Sequence, residues 1–308
     1  MQEAMAIKRL RAGFRRNDIT IYVGAGASAA SYVPIWDALL RTVYLNSLKI
    51  PAARSGEDLS SPYIVQATAE RWFTKSGVPL DIAARTLRTS FHDPREYFSQ
   101  VRFALYQVFE FDSHGYPTLG NQSLLRRNQT LKAVVKLCRR TRPGKRGLRA
   151  VVNYNLDGLL EMALGSYPFQ SFWKPAKVKP ETLPIYHVHG YLPVRDPFRG
   201  YSPRLGSLAD EIVLTEDQYH REAADPYSWS NLVQLGAMSG SVGLTIGLSL
   251  SDPNLRRLLD AARRAPARRE IYGVFQKPKA TDLDEVGIDE IARNLQEILE
   301  FSNGFYRK

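Results

Sequence analysis

The side chains best suited to chemistry sit in two short segments, Tyr154-Asn155-Leu156-Asp157 and His187-Val188-His189-Gly190. An imidazole changes charge near neutral pH and so can take or return a proton at a reacting centre. An amide and a carboxylate two residues apart at a strand end can orient a polar substrate and a water. A third segment, Gly24-Ala25-Gly26-Ala27-Ser28-Ala29, has the spacing G-x-G-x-x-A. Its glycines allow a tight turn and close backbone approach to a pyrophosphate, with free N–H groups and a helix dipole facing the phosphates. Each segment also has an ordinary structural use. Asp157 can serve as a first-turn acid of a helix, Asn155 as a turn residue, and the glycine segment as a plain strand-to-helix turn. On an extended strand His187 and His189 point the same way, so one of them can be a satisfied supporting histidine. Two histidines at that spacing also raise metal binding, but no third ligand of obvious spacing accompanies them and none is expected.

The elements that must position these residues can be read from periodicity. Residues 3–16 pattern as an amphipathic helix, and Ile19, Ile21 and Val23 as a short strand running into the glycine turn. A helix over 34–48 follows, with Pro34 near its first turn, then a Pro/Gly/Ser-punctuated loop over 49–62. From 63 to 142 no strand is evident. Segments 64–75, 79–90, 94–111 and 121–140 carry helical periodicity, which makes 49–145 an all-α insertion. Alternation then resumes with strand 148–154, a helix opening at Asp157, strand 183–188, and a Pro/Gly/Arg-rich loop to about 208. Strand 211–214, helices 215–223 and 226–238, strand 241–247, helix 253–264, strand 269–275 and a helix 283–301 complete the chain. Strands alternating with helices indicate an α/β fold, a parallel Rossmann-like sheet interrupted by the helical insertion. The expected organisation is one domain over 1–308, its sheet part at 1–48 and 146–308.

Composition narrows the partners. The 308 residues carry 42 Lys+Arg against 31 Asp+Glu, a formal charge of +11, which suits an anionic ligand or a solvated basic surface. The basic run at 139–146 and the pairs Arg256-Arg257 and Arg263-Arg264 read as solvated surface or as a docking patch for a partner or nucleic acid, and no aromatic is interleaved at 139–146. The single Cys138 excludes an internal disulfide and any cysteine-based metal module. With no long apolar run, the expectation is a soluble cytoplasmic protein without membrane association. An ordinary dehydrogenase is disfavoured, because the window about 20 residues beyond the glycine turn holds Asn46-Ser47-Leu48-Lys49, with no ribose-binding acid and no second strand.

Taken together these segments resemble the sirtuins. Gly24–Ser28 followed by Val33-Pro34-Ile35-Trp36 is similar to the family's phosphate turn and Pro-x-Trp. Asn155-Leu156-Asp157 resembles its Asn-x-Asp step, His189-Gly190 its His-Gly pair, and Gly247-Leu248-Ser249 with Asp252-Pro253-Asn254-Leu255 its late strand-turn-helix segment. The match runs in order from 19 to 262. It is closer to the sirtuin-like domains of bacterial antiviral systems, which act as NAD hydrolases, than to protein deacylases, whose four-cysteine zinc module is missing.

The resemblance implies NAD as substrate, no metal, and cleavage of the nicotinamide–ribose bond in antiphage defence. It implies that Gly24, Ala25, Gly26, Ala27 and Ser28 cradle phosphates and that Pro34 and Trp36 wall the pocket. Asn155 then positions ribose and water, Asp157 contacts the nicotinamide amide, and His189 acts as base. Gly247, Ser249, Asp252 and Asn254 fall to the cofactor-binding set, Ser249 and Asn254 toward the adenosine half. It further implies control by homo-oligomerisation or by a separate sensor or ATPase partner, with nucleic acid involved only indirectly. A protein deacylase, an ADP-ribosyltransferase and a non-catalytic nucleotide sensor use the same pocket and stay open at this stage.

Overall fold

A computed structural model describes residues 2–55, 77–109, 119–193, 212–250, 252–264 and 269–274. The chain divides into two compact units, Met1–Gly273 and Val274–Lys308. Nearly all of the second, including the expected helix 283–301, lies outside the described residues, as do the expected helix 64–75 and the 194–208 loop.

The first unit is built on a parallel sheet. Its strands are β1 (Ile19–Val23), β2 (Leu148–Asn153), β3 (Phe169–Phe172), β4 (Leu183–His187), β5 (Val242–Ile246) and β6 (Ile271–Val274), in the order β3-β4-β2-β1-β5-β6. β1 is central and buried along its whole length, as expected of a strand covered by helices on both faces. From β1 the chain builds outward through β2 and β4, then returns to place β5 on the other side of β1. That reversal opens a crevice at the carboxyl ends of the strands, where ligands of such sheets bind.

Helix α1 (Gln2–Arg15) precedes β1, and a single turn α2 (Gly26–Ala29) follows it. Helices α3 (Trp36–Ser55), α4 (Leu80–Thr89), α5 (Pro94–Tyr106), α6 (Leu119–Arg127) and α7 (Gln129–Arg139) form the helical block between β1 and β2. Helix α3 starts two residues after Pro34 and continues to Ser55, so residues 49–55 of the expected loop are helical. The expected 121–140 helix is two helices. Asn128 ends the first and caps the second, its side-chain oxygen accepting from Leu131 N at 2.9 Å. The block is not a separate body: Leu87, Tyr97, Val101, Val134 and Cys138 share one apolar core with Ile21 of β1 and Val151 of β2.

Beyond β2 run α8 (Leu159–Leu164), α9 (Glu216–Ala224), α10 (Trp229–Gly240) and α11 (Pro253–Arg263). Residues 212–214 are buried but are not a strand, because their backbone runs along the loop after β4, with Val213 N donating to His189 O at 2.9 Å. Strand β3 is absent from the sequence expectation; its four residues, Phe-Gln-Ser-Phe, are too few to show a period. Among the described residues no helix is long and apolar enough to cross a membrane.

The ends of β1 and β5 are locked together. Gly24 N donates to Ile246 O at 3.0 Å and Gly26 N to Gly247 O at 2.9 Å. A Cβ on Gly24 would lie 2.5 Å from Gly247 O, and one on Gly247 only 2.3 Å from Ala27 N. Gly247 also has φ +64, where side chains are disfavoured. Gly165 has a similar φ of +60 but open space around its missing Cβ. Gly247→Ala is therefore expected to cost at least ~2 kcal/mol more than Gly165→Ala, which carries the backbone penalty of ~1–2 kcal/mol alone. Paired urea titrations measure the difference; equal costs would mean the two turns are not tightly packed.

Candidate functional site

A cleft partly open to solvent lies over the carboxyl ends of β1, β2 and β4. Its polar lining comes from Ser28, Asn155, Asp157 and His189, set among apolar walls that include Val33, Trp36, Leu105 and Leu214. Mostly apolar concavities with a few converging polar groups are how proteins bind small molecules.

The glycine turn contributes differently from the expectation of free amides. The N–H groups of Gly24, Gly26, Ala27 and Ser28 all donate to backbone carbonyls, Gly24 to the last residue of β5 and Gly26 to Gly247 just after it. The glycines thus serve the packing of two turns. What the segment presents to the cleft is Ala25 and the Ser28 side chain.

Asn155 and Asp157 follow β2 and are both buried, 7% and 4% exposed. Asn155 Nδ2 reaches Gly24 O and Ser28 Oγ, each at 3.2 Å, which fixes the amide against the glycine turn. Its backbone is held from both sides, with N donating to Asn153 Oδ1 at 3.0 Å and O facing His187 Nδ1 at 3.2 Å. Asp157 Oδ1 accepts from Leu159 N at 3.0 Å and from Ser28 Oγ at 3.2 Å. It therefore does both jobs considered from the sequence: it satisfies an amide at the start of α8 and it lines the cleft. Burial pushes its carboxyl up to about 6, against the pull of those two donors.

His187 and His189 do not share a direction. β4 ends at His187 and the chain turns there, Gly190 N donating to His187 O at 3.3 Å, so strand alternation stops applying. His187 is wholly buried and is the supporting histidine. Its Nε2 lies 2.6 Å from Glu161 Oε1, which also accepts from Ser171 Oγ at 2.7 Å. Burial works to raise the Glu161 carboxyl, but His187 and Ser171 outweigh it and hold it below its usual range. Through its other nitrogen His187 steadies Asn155.

His189 lines the cleft with its ring edge-on to Tyr154 and Tyr219, centroids at 5.1 and 5.6 Å. Tyr219 in turn stacks on Trp36 at 5.7 Å. His189 Nε2 lies 3.1 Å from Asp252 Oδ2, off the line of a good hydrogen bond. Asp252 Oδ1 caps α11, accepting from Asn254 N at 2.8 Å and Leu255 N at 3.3 Å. Burial alone would raise its carboxyl; His189 and the helix amides hold it below the ordinary range. A carboxylate beside Nε2 favours a proton on that nitrogen.

Of the remaining residues singled out in the sequence, Ala25, Pro34 and Trp36 line the cleft. Gly247 is engaged in the turn contact, and Ser249 is held by protein contacts. Asn254 does not reach toward a ligand, because Nδ2 donates to Asn231 Oδ1 at 3.0 Å and Oδ1 accepts from Arg257. Three contributors were given no site role from the sequence, although Glu161 and Tyr219 fall in segments that share the family resemblance. Tyr106, Glu161 and Tyr219 lie on helices whose spacing looks like ordinary core. Tyr106 bridges the helical block to the site, its hydroxyl donating to Leu192 O at 2.6 Å and accepting from Gly158 N at 2.8 Å. No group of three or more His, Cys, Asp or Glu that could hold a metal occurs among the described residues.

Residues 149–295 match the family model described as a SIR2-like domain. That segment begins in β2 and carries Asn155, Asp157, His189 and Asp252, whereas the glycine turn precedes it. No curated protein matches the chain. The family match supports a sirtuin-like domain over that part of the chain and, with it, NAD-related chemistry.

The raised Asp157 carboxyl sets a stability signature. In the folded state it holds its proton up to about 6, above the unfolded value of 3.8, so folding stability is lost as pH rises through that window. Asp157→Asn, which keeps an acceptor for Leu159 and Ser28, is expected to stabilise the protein at pH 7.5 by ~2–3 kcal/mol and to change little at pH 3.5. Thermal melts of both proteins across that range check it; an equal effect at both pH values would contradict it.

Proposed function

We propose that the chain hydrolyses NAD at the nicotinamide–ribose bond, releasing nicotinamide and ADP-ribose. The observation that carries the reading is the convergence of Asn155, Asp157 and His189 on one cleft within the part that matches a SIR2-like domain. Breaking the bond sends its electron pair to the nicotinamide ring nitrogen, which cancels that ring's positive charge. Positive charge then grows on the ribose carbon. Asp157 is poorly solvated, so it gains most from a partner that is cationic or donates an N–H, either the carboxamide or the developing ribosyl cation. Such a group stabilises the transition state more than the ground state.

The incoming water bonds to the ribose carbon and loses one proton. His189 Nδ1 is the acceptor, with Asp252 holding the ring and balancing its charge. Asn155 orients the water or a ribose hydroxyl, its amide being fixed by Gly24 and Ser28. Trp36 and Tyr219 give the cleft a stacked aromatic wall suited to a planar ring. On the resemblance noted in the sequence, we take this activity to be that of an NAD-depleting effector in antiphage defence, released by oligomerisation or by a separate partner.

Asn155→Ala and His189→Ala are each expected to lower NAD loss by ~10²–10⁴-fold with NAD binding retained. Asp252→Asn, which lets the imidazole adopt the wrong tautomer, is expected to lower kcat at least ~10²-fold with KM changed far less. Chromatography of nicotinamide and ADP-ribose, with calorimetry for binding, reads both. Turnover that survives in the His189 variant, nicotinamide release that requires an acyl-peptide, or label left on protein instead of free ADP-ribose would each overturn hydrolysis as assigned.

A further inference from the structure

The cleft leaves unused the basic run that stands out in the sequence, and the fold places it at the opposite end of the sheet. Residues 142–146 form a small hairpin in which Arg142 N donates to Arg146 O at 2.8 Å and Arg146 N to Arg142 O at 3.0 Å. Gly147 N then donates to Phe14 O at 2.6 Å, which binds the hairpin to the carboxyl end of α1, where Arg15 and Arg16 are exposed. Immediately after comes β2, whose first residue pairs with the first residue of β1. This is the amino edge of the sheet, away from the strand ends that carry Asn155 and His189.

A second cleft forms here between the hairpin and the loop leading into β4. Its lining mixes Asn17, Arg149, Lys179 and Thr182 with Leu148, Val178 and three prolines, and Arg149 also donates to Gly240 O at 2.8 Å. Around it Arg142, Lys145, Arg146 and Lys177 are exposed. None of these cations belongs to an ion pair recorded among the described residues; of the neighbouring acids, Asp18 faces Arg269 at 3.4 Å, leaving Glu181. Unpaired like charges gathered on one face oppose folding, so they point to an anionic partner.

The chemistry of the face selects among anions. Segments 142–149 and 177–182 contain no aromatic residue. They also contribute none of the exposed large hydrophobic side chains. Protein interfaces need buried apolar anchors, and peripheral membrane binding needs side chains that enter the acyl boundary. Single strands are gripped by aromatic stacking. Exposed cations gathered around a small cleft, with no exposed apolar anchor among them, fit a regular array of phosphates instead.

We propose that this face docks the sugar–phosphate backbone of duplex nucleic acid without reading its sequence. The proposal is independent of the NAD chemistry, because none of its residues lines the catalytic cleft. It differs from the indirect involvement of nucleic acid that the family resemblance implies.

The test is fluorescence anisotropy of a labelled, mixed-sequence DNA duplex with the full chain over a series of NaCl concentrations. Binding is expected to weaken steeply with salt, and the combined variant R142Q/K145Q/R146Q/K179Q to lower the log–log slope by ~3–4 and affinity by at least ~10-fold. Those side chains are exposed, so the fold is kept; unchanged NAD turnover, or an unchanged thermal melt, confirms it. A control with the same charge loss elsewhere, K8Q/R95Q/K132Q/R264Q, is expected to stay within ~3-fold of the parent. Absence of salt-sensitive binding, equal weakening by both variants, or tighter binding to single-stranded DNA, polyglutamate or phosphatidylserine vesicles would each overturn the proposal. None of these outcomes depends on whether the chain cleaves NAD.

Discussion

Two backbone hydrogen bonds, Gly24 N to Ile246 O and Gly26 N to Gly247 O, hold together the strand ends on which the site is assembled. They hold the turns after β1 and β5 so close that there is no room for a Cβ at Gly24 or Gly247. The polar side chains of the cleft are positioned from that lock. Gly24 O anchors the Asn155 amide, and Ser28, one turn further on, links Asn155 to Asp157. From the other side, the loop after β5 delivers Asp252 to His189. The helical block adds a third constraint, because Asn128 Nδ2 donates to Ala27 O and Ser31 Oγ at 2.8 and 2.9 Å. The side chains themselves are short, so precision comes from the backbone beneath them.

The buried carboxylates are separated by environment. Glu161 has His187 and Ser171 and stays ionised, a structural anion that fixes a histidine and, through it, Asn155. Asp252 has His189 and two helix amides and also stays ionised. Asp157 has only a backbone amide and a serine hydroxyl, and burial wins. The one strained charge therefore lies where a ligand can relieve it. Carboxylates with diverging environments commonly mark a division between scaffold and chemistry.

Much of this was legible in the sequence. The β-branched alternation of Ile19, Ile21 and Val23 and the helix–strand alternation after residue 148 could be read from residue types and order, whereas the grouping of Asn155, Asp157 and His189 with Ser28 and Trp36 came only from the family resemblance. Three things could not. Local period says nothing about which amides remain free, so it could not show that Gly24 N and Gly26 N donate to Ile246 and Gly247, or that Ala27 N and Ser28 N donate within the turn itself. Strand alternation wrongly aligned His187 with His189, because nothing local announces that the strand stops at His187. Finally, Tyr106, Glu161 and Tyr219 reach the site from helices whose apolar faces look like those of any core helix, and only the packing reveals their second use. Asp252 was visible as a site residue, but its pairing with His189 joins positions 63 residues apart, counting from 189 to 252.

The central claim is that this cleft breaks the nicotinamide–ribose bond with water as the acceptor. The most direct measurement is single-turnover incubation of the chain with NAD in ¹⁸O-labelled water, followed by mass spectrometry of the products. The account predicts free nicotinamide together with ADP-ribose carrying one ¹⁸O at the anomeric carbon. Nicotinamide released with no label in free ADP-ribose, or NAD bound and recovered intact, would contradict it.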